Sequence, residues 1–298
     1  MGAIILHEVG PRDGLQVERQ AVPTAVKEGW LRGLLASGLD WVQVGSFVHP
    51  DKVPQMADTD ELFRILAGVP GPRAGLSGLV LNERGLDRAL ACGVELICMG
   101  VSASETHSRK NTGMGTEEAQ RRIIAMGRSA LAAGRKVQVS VQSAFGCGFE
   151  GRIPDEKVLA IARAYVEAGL TGISLADTAG HGHPDQVQRL FGAVMALGPV
   201  QPIGHFHDTY GLGMANVYAA MAVGAENFET SFGGLGGCPF TKVAAGNVAT
   251  EDLVHALNRV GLRLDIDLPG LIGIAKDLAA FFARDLPGRV HRTGPLGY

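Results

Sequence analysis

Short apolar runs alternate with helix-like segments along this chain of 298 residues, and this alternation constrains the fold most strongly. Eight runs have the length and composition of buried strands: 3–9, 41–45, 74–80, 96–101, 137–141, 172–175, 201–206 and 227–230. Seven intervening segments have helical spacing: 23–37, 83–91, 116–133, 155–168, 184–197, 212–223 and 250–260. Eight such units predict an α/β protein with a (β/α)8 TIM barrel. An open doubly wound sheet is the alternative, but such sheets normally stop at about five or six strands.

A glycine recurs at the point where a predicted helix gives way to the next strand. Five helices end in this way, at Gly38, Gly93, Gly134, Gly169 and Gly224. A glycine at this position adopts the left-handed conformation that ends a helix. The chain has 42 glycines in 298 residues, roughly twice the usual fraction of 7%. Five copies of one turn explain part of this excess.

The alternation ends near residue 267. Residues 1–267 are therefore predicted to form the barrel, a single catalytic domain. Residues 268–298 are predicted to form a C-terminal helical extension that packs on the barrel, with a helix over 269–283 and a tail rich in Gly, Pro and Arg.

Composition and charge exclude several classes of protein. Apolar residues make up 46% of the chain, which is enough for a substantial core. The net charge is −3 and no long basic segment occurs, so we expect no nucleic-acid partner. No apolar run approaches the ~20 residues that cross a bilayer, so we expect no membrane association. Four cysteines without a Cys-x-x-Cys pair suit a reducing compartment, and the predicted location is the cytoplasm.

Candidate metal ligands follow the first, seventh and eighth predicted strands. His205 and His207 are two residues apart, so both imidazoles point to the same face of a strand. The functional face of a barrel is formed by the carboxyl ends of its strands, where Asp13 and Asn247 are also expected. Two imidazoles, a carboxylate and an amide oxygen suit Mg²⁺ or Mn²⁺, with Co²⁺ as a third candidate. A second pair, His181 and His183, precedes Pro184 among glycines and is interpreted as a helix-entry loop.

Two further side chains at the barrel mouth have both a structural and a catalytic interpretation. Arg12 could form only an ion pair with Asp13, or it could stabilise an enolate oxygen next to a metal. Cys238 could be a small buried apolar residue, which is the commoner fate of cysteine. It follows Gly233, Gly234, Gly236 and Gly237, and a thiol on a mobile loop could instead donate a proton to a substrate.

Five stretches together carry a family resemblance: EVGPRDGLQ (8–16), SFVHPDKVPQM (46–56), SLADTAG (174–180), HFHDTYG (205–211) and GGLGGCPFTKVAAGNVATEDLV (233–254). The chain resembles 3-hydroxy-3-methylglutaryl-CoA lyases, which belong to a wider group of metal-dependent barrels that includes isopropylmalate and homocitrate synthases. The GGLGGCP loop separates the lyases from the synthases.

The resemblance implies a retro-Claisen cleavage that yields acetyl-CoA and a keto acid, acetoacetate when 3-hydroxy-3-methylglutaryl-CoA is the substrate. It implies that the predicted metal ligands bind a divalent cation, that Arg12 stabilises the enolate and that Cys238 is the general acid. Asp177 would support proton transfer near the tertiary hydroxyl. It further implies an acyl-CoA partner and a homodimer. Candidate contacts for the substrate or CoA are Ser46, Ser102, Lys110, Asn111 and Thr178.

One departure from the family concerns the second predicted strand. Gln43 stands where such lyases typically carry a glutamate, which removes one negative charge near the expected metal. This change makes citramalyl-CoA, cleaved to pyruvate and acetyl-CoA, a second candidate substrate. The residues are also compatible with a Claisen-type synthase, which needs no protonating cysteine, and with a barrel that binds CoA esters without cleaving them.

Overall fold

Eight parallel strands close into a barrel in the computed structural model, which describes residues 4–69, 74–237 and 246–296. The strands are β1 Ile5–Glu8, β2 Trp41–Ser46, β3 Gly75–Leu79, β4 Leu96–Ser102, β5 Lys136–Gln142, β6 Gly172–Asp177, β7 Gln201–Phe206 and β8 Asn227–Thr230. Each strand pairs with the next in sequence, and β8 pairs with β1. The predicted TIM barrel is confirmed, and each predicted strand lies within two residues of its observed bounds.

Eleven helices lie in the described residues: α1 Thr24–Ala36, α2 Thr59–Ala67, α3 Glu83–Ala91, α4 Glu105–Thr112, α5 Thr116–Ala132, α6 Asp155–Glu167, α7 Pro184–Met195, α8 Gly213–Ala222, α9 Thr250–Arg259, α10 Leu268–Phe282 and α11 Val290–Thr293. Helices α2, α4 and α11 are additional to the predicted ones. The sequence of α4, ETHSRKNT, has no apolar residue, so hydrophobic periodicity gives no signal there.

The glycines predicted to end helices all have left-handed backbones. Their φ angles lie between 73° at Gly93 and 97° at Gly224. Space adds a second constraint at Gly38, where a Cβ atom would lie 2.9 Å from the carbonyl oxygen of Asp265. At this turn a larger residue would be excluded by both backbone conformation and packing.

The segment after the barrel packs against α1, the helix that follows β1. The ring of Trp30 on α1 lies 5.9 Å from Phe232 and 5.5 Å from Phe281 on α10. Arg263, between α9 and α10, forms an ion pair of 2.6 Å with Asp40. Helix α10 therefore covers α1 and the turn that follows β8. Among the described residues, no helix combines the length and the apolar character needed to cross a membrane.

Candidate active site and metal centre

Three of the predicted ligands meet at the carboxyl end of the barrel. His205 lies on β7 and His207 follows that strand, while Asp13 lies in a short helical turn, Gly10–Gly14, after β1. One possible ligand atom from each residue lies within 4.8 Å of the others, and all three residues are buried. The Nε2 atoms of the two histidines are 3.1 Å apart. Residues from opposite ends of the sequence meet because β1 and β7 both border β8 in the closed barrel.

Asn247, the fourth predicted ligand, lies against Asp13 and keeps its amide oxygen for a further partner. Its Nδ2 donates to Asp13 Oδ2 at 2.9 Å and to the carbonyl oxygen of Leu235 at 3.0 Å. Its Oδ1 is buried and has no partner among the described residues. An unsatisfied buried oxygen is costly unless something binds it. The two imidazoles and the carboxylate fit a divalent cation such as Mg²⁺, Mn²⁺ or Co²⁺. The oxygen of Asn247 stays the predicted fourth ligand.

The charge states of Asp13 and His207 also suit a cation. Burial alone would raise the pKa of Asp13, but Arg12 and the two imidazoles hold it well below its usual range. Burial, together with the neighbouring His205, lowers the pKa of His207 to about 4, so its imidazole is neutral at pH 7. Metal binding needs an ionised carboxylate and neutral imidazoles. Both Asp13 and His207 already meet that requirement.

Arg12 is fixed by two partners next to the metal ligands. Its Nη1 contacts Asp13 Oδ1 at 2.5 Å, and its Nε donates to Gln43 Oε1. Gln16 donates to the same Asp13 oxygen at 3.1 Å. A guanidinium held at two points is preorganised to stabilise negative charge that develops in a substrate. Gln43 therefore acts as a neutral hydrogen-bond acceptor that positions Arg12 without forming an ion pair with it.

A cavity of about 320 Å³ opens beside this cluster. Eight of the predicted site residues line it: Arg12, Asp13, Gln43, Ser46, Asn111, Thr178, His205 and His207. The hydroxyl oxygen of Ser46 is buried and has no partner in the described part of the chain. A polar atom of this kind at a cavity wall is available to a ligand.

Four other predicted site residues of the described chain do not line this cavity: Asn247, Ser102, Lys110 and Asp177. Ser102 bonds Ser143 at 3.2 Å, and Lys110 lies over the ring of Phe149 at 5.0 Å. The carboxylate of Asp177 accepts the backbone N–H groups of His181 at 2.8 Å and of Gly182 at 3.0 Å. Burial raises the pKa of Asp177 to about 6. The two backbone hydrogen bonds to Asp177 hold the loop after β6. A role for Asp177 in proton transfer stays a prediction.

The second histidine pair lies in the loop before α7. His183 is the residue that precedes this helix, and Pro184 occupies its first turn. The backbone N–H of His181 is held by Asp177. This arrangement is the helix-entry loop that the sequence predicts.

Cys238 lies outside the described residues, but both ends of its loop are anchored. Glu8 accepts the backbone N–H of Phe232 at 3.0 Å and the hydroxyl of Thr250 at 2.6 Å. Burial raises the pKa of Glu8 to about 8. Glu251 accepts the backbone N–H of Gly233 at 3.0 Å. Hydrogen bonds to the carboxylates of Glu8 and Glu251 therefore hold the chain segments before and after the loop.

Several side chains that line the cavity were not predicted from the sequence. Glu229 on β8 and Gln138 on β5 lie below the histidines, and His107 on α4 lies at the mouth with Gln16. The sequence could have indicated Glu229, because a charged residue in a short buried strand needs a partner. His107 gave no signal, because α4 itself has no apolar periodicity.

Comparisons with known proteins agree with this geometry. Residues 3–278 match the family described as HMGL-like. A hydroxymethylglutaryl-CoA lyase of Pseudomonas mevalonii is 40% identical over 281 residues, which cover 94% of this chain and 93% of that enzyme. An (R)-citramalyl-CoA lyase of Chloroflexus aurantiacus is 38% identical, over 99% of this chain and 96% of that enzyme.

A solved structure matches along nearly the whole length. It is an HMG-CoA lyase from Acinetobacter baumannii in complex with coenzyme A and 3-methylmalate, and it is 35% identical to this chain. The TM-score is 0.92, and the match covers 99% of this chain and 96% of that one. On the strength of these matches, the chain belongs to the HMGL-like family, that of the hydroxymethylglutaryl-CoA lyases.

Proposed function

We propose that this protein is a divalent-metal-dependent carbon–carbon lyase that cleaves 3-hydroxy-3-methylglutaryl-CoA to acetyl-CoA and acetoacetate. The observation that carries the proposal is the meeting of Asp13, His205 and His207 with the fixed guanidinium of Arg12 at one cavity. Asn247 contacts this group through its hydrogen bond to Asp13. The acyl-CoA partner is supported by the names of the lyases that the chain resembles and by the coenzyme A complex of one of them. The homodimer stays a prediction.

The reaction needs three changes at the acyl group. The tertiary hydroxyl loses its proton, the bond between C2 and C3 breaks to leave a ketone at C3, and the thioester enolate gains a proton at C2. Asp13, His205 and His207 would hold a divalent cation, which would supply Lewis-acid polarisation of the substrate hydroxyl. Arg12 is placed to stabilise the enolate oxygen, because Gln43 and Asp13 fix its guanidinium at the cavity wall. Cys238 is proposed as the donor of the final proton.

Product identification tests this function directly. The purified protein with Mn²⁺ should convert 3-hydroxy-3-methylglutaryl-CoA to acetoacetate and acetyl-CoA, both detected by mass spectrometry. Citramalyl-CoA, assayed in parallel, would give pyruvate in place of acetoacetate. Release of pyruvate alone would identify the second substrate, and absence of both ketones would contradict the whole class of reaction.

Citramalyl-CoA is the second candidate because of Gln43 and because a relative of similar identity is named an (R)-citramalyl-CoA lyase. A carboxylate at position 43 would form an ion pair with Arg12 and reduce the charge that Arg12 offers to a substrate. We therefore expect Gln43→Glu to change the ratio of kcat/KM for the two thioesters by about tenfold, or ~1.4 kcal/mol. Steady-state assays on both substrates measure this ratio. An unchanged ratio would show that Gln43 does not select the acyl group.

Metal binding should stabilise the fold measurably. A ligand that binds only the folded state adds about 2.7 kcal/mol at a concentration 100 times its Kd. We expect Mn²⁺ to raise the Tm of the wild-type protein in a thermal melt, and Asp13→Asn to abolish most of this rise. His183→Gln is the matched control, because the exposed His183 belongs to the other histidine pair and should leave the rise intact. An equal rise in wild type and Asp13→Asn would place the cation elsewhere.

A further inference from the structure

A buried carboxylate lies beside His205, one of the two candidate histidine ligands. Glu229 on β8 is paired in register with His205 on β7. Its Oε2 lies 2.9 Å from Nδ1 of His205 and accepts the hydroxyl of Ser174 at 3.1 Å. Its other oxygen, Oε1, accepts Nε2 of Gln138 at 2.6 Å. Side chains from β5, β6 and β7 therefore converge on this one carboxylate inside the barrel.

Burying this carboxylate costs free energy that its contacts must offset. A carboxylate removed from water is tolerated only when it is paired and hydrogen-bonded. Glu229 is buried, and its two oxygens are held by His205, Ser174 and Gln138. The carboxylate is therefore paired with a ring nitrogen and hydrogen-bonded at both oxygens. The ring that this carboxylate faces belongs to a predicted metal ligand.

The two histidines differ in how they are held. Nδ1 of His205 faces the Glu229 carboxylate, whereas Nδ1 of His207 is buried without a hydrogen-bond partner among the described residues. A carboxylate can only accept, so it selects the tautomer of His205 that carries the proton on Nδ1. The lone pair then lies on Nε2, the atom that faces His207. A histidine fixed in this way is a stronger and better oriented metal ligand.

We propose that Glu229 is a positioning residue for the metal centre, which fixes the tautomer and orientation of His205 and is itself held by Gln138 and Ser174. This inference rests on the metal-dependent function proposed above. Glu229, Gln138 and Ser174 then form a second group of residues, inside the barrel, that holds the metal ligand His205 in place. Glu229 acts through His205, and so it is not itself a catalytic residue.

The first test needs only the wild-type protein without metal. Nitrogen-15 NMR distinguishes the two neutral tautomers of histidine, and the His205 signal is assigned by its loss in His205→Asn. We expect a protonated Nδ1 in His205, either as the neutral tautomer or with both ring nitrogens protonated. A His205 ring that carries its single proton on Nε2 would overturn the proposal. This outcome depends on no variant and on no substrate.

The second test measures Mn²⁺ affinity by electron paramagnetic resonance in the absence of substrate. Loss of a residue that orients a metal ligand typically weakens binding by about 10- to 100-fold, and we expect this for Glu229→Ala. Glu229→Gln keeps the shape and one acceptor oxygen, so its affinity should lie between those of Glu229→Ala and wild type. His183→Gln, in the exposed part of the other histidine pair, is the control and should bind Mn²⁺ like wild type.

The outcomes separate this inference from the proposed function. Wild-type affinity in both Glu229 variants would overturn the positioning role and leave the metal-dependent function intact. A wild-type protein that binds no Mn²⁺ would contradict the proposed function itself. If Glu229→Ala fails to fold, as judged by circular dichroism, the Glu229→Gln affinity and the wild-type tautomer still decide the question.

Discussion

Replacing Arg12 with glutamine should lower kcat for 3-hydroxy-3-methylglutaryl-CoA by about 10²- to 10³-fold, the usual cost of removing a preorganised group that stabilises an oxyanion. The guanidinium is fixed by Asp13 and Gln43 at the cavity wall, so it needs no rearrangement when charge develops on the enolate. Steady-state kinetics with saturating Mn²⁺ measure the effect. We expect kcat to fall more than KM rises, because this interaction is strongest in the transition state.

Two measurements separate this catalytic effect from damage to the metal centre. Arg12→Gln removes a positive charge beside Asp13, so its Mn²⁺ affinity should be equal to or tighter than that of wild type. Arg12→Lys keeps the charge but lacks the planar fork that reaches both Asp13 and Gln43, so it should recover only part of the rate. A kcat of Arg12→Gln within about threefold of wild type would remove Arg12 from the proposed mechanism.

Replacing Cys238 with alanine should lower the rate of cleavage by about 10²- to 10⁴-fold, the range typical for loss of a general acid. In the proposed reaction the bond between C2 and C3 breaks first, and the enolate then takes its proton from the Cys238 thiol to give acetyl-CoA. The same substitution discriminates between a lyase and a Claisen-type synthase, because the condensation needs no such donor. Initial rates of acetyl-CoA formation measure the loss.

The other cysteines provide the control for this experiment. Cys92 is half-buried on the outside of the barrel at the end of α3, so Cys92→Ser should keep normal turnover. The buried Cys98 is less suitable, because it lines the cavity and contacts Gln43. Near-normal cleavage by Cys238→Ala would contradict the lyase mechanism. Loss of cleavage in both Cys238→Ala and Cys92→Ser would point to general damage.

The barrel could be predicted from the sequence because each of its units carries a local signal. A buried strand is a short apolar run, and a glycine such as Gly38 ends the helix that precedes the next strand. Helix α4 could not be predicted in this way, because a helix without apolar residues shows no periodicity. Its position depends instead on a cap at Ser104, whose hydroxyl accepts the backbone N–H of His107 at 3.1 Å.

The grouping of the candidate metal ligands could also be predicted, because it follows a rule of local geometry. Residues two apart on a strand share a face, and the carboxyl ends of barrel strands share one mouth. His205, His207 and Asp13 therefore had to lie near one another once the barrel was predicted, and the structure brings them together. The role of Gln43 as the neutral partner of Arg12 needed the structure, because the sequence does not show which β2 side chain reaches the turn after β1.

Local sequence was sufficient to predict the barrel, the family and the four candidate metal ligands, because strand length, alternation and short motifs are all properties of neighbouring residues. The residues that hold these ligands in place could be identified only from the structure. Glu229 contacts Gln138, 91 positions away along the chain, and it reaches His205 from the neighbouring strand. Such contacts depend on register and on the layers inside a closed barrel, and no local pattern in the sequence encodes which inward-facing side chains meet there.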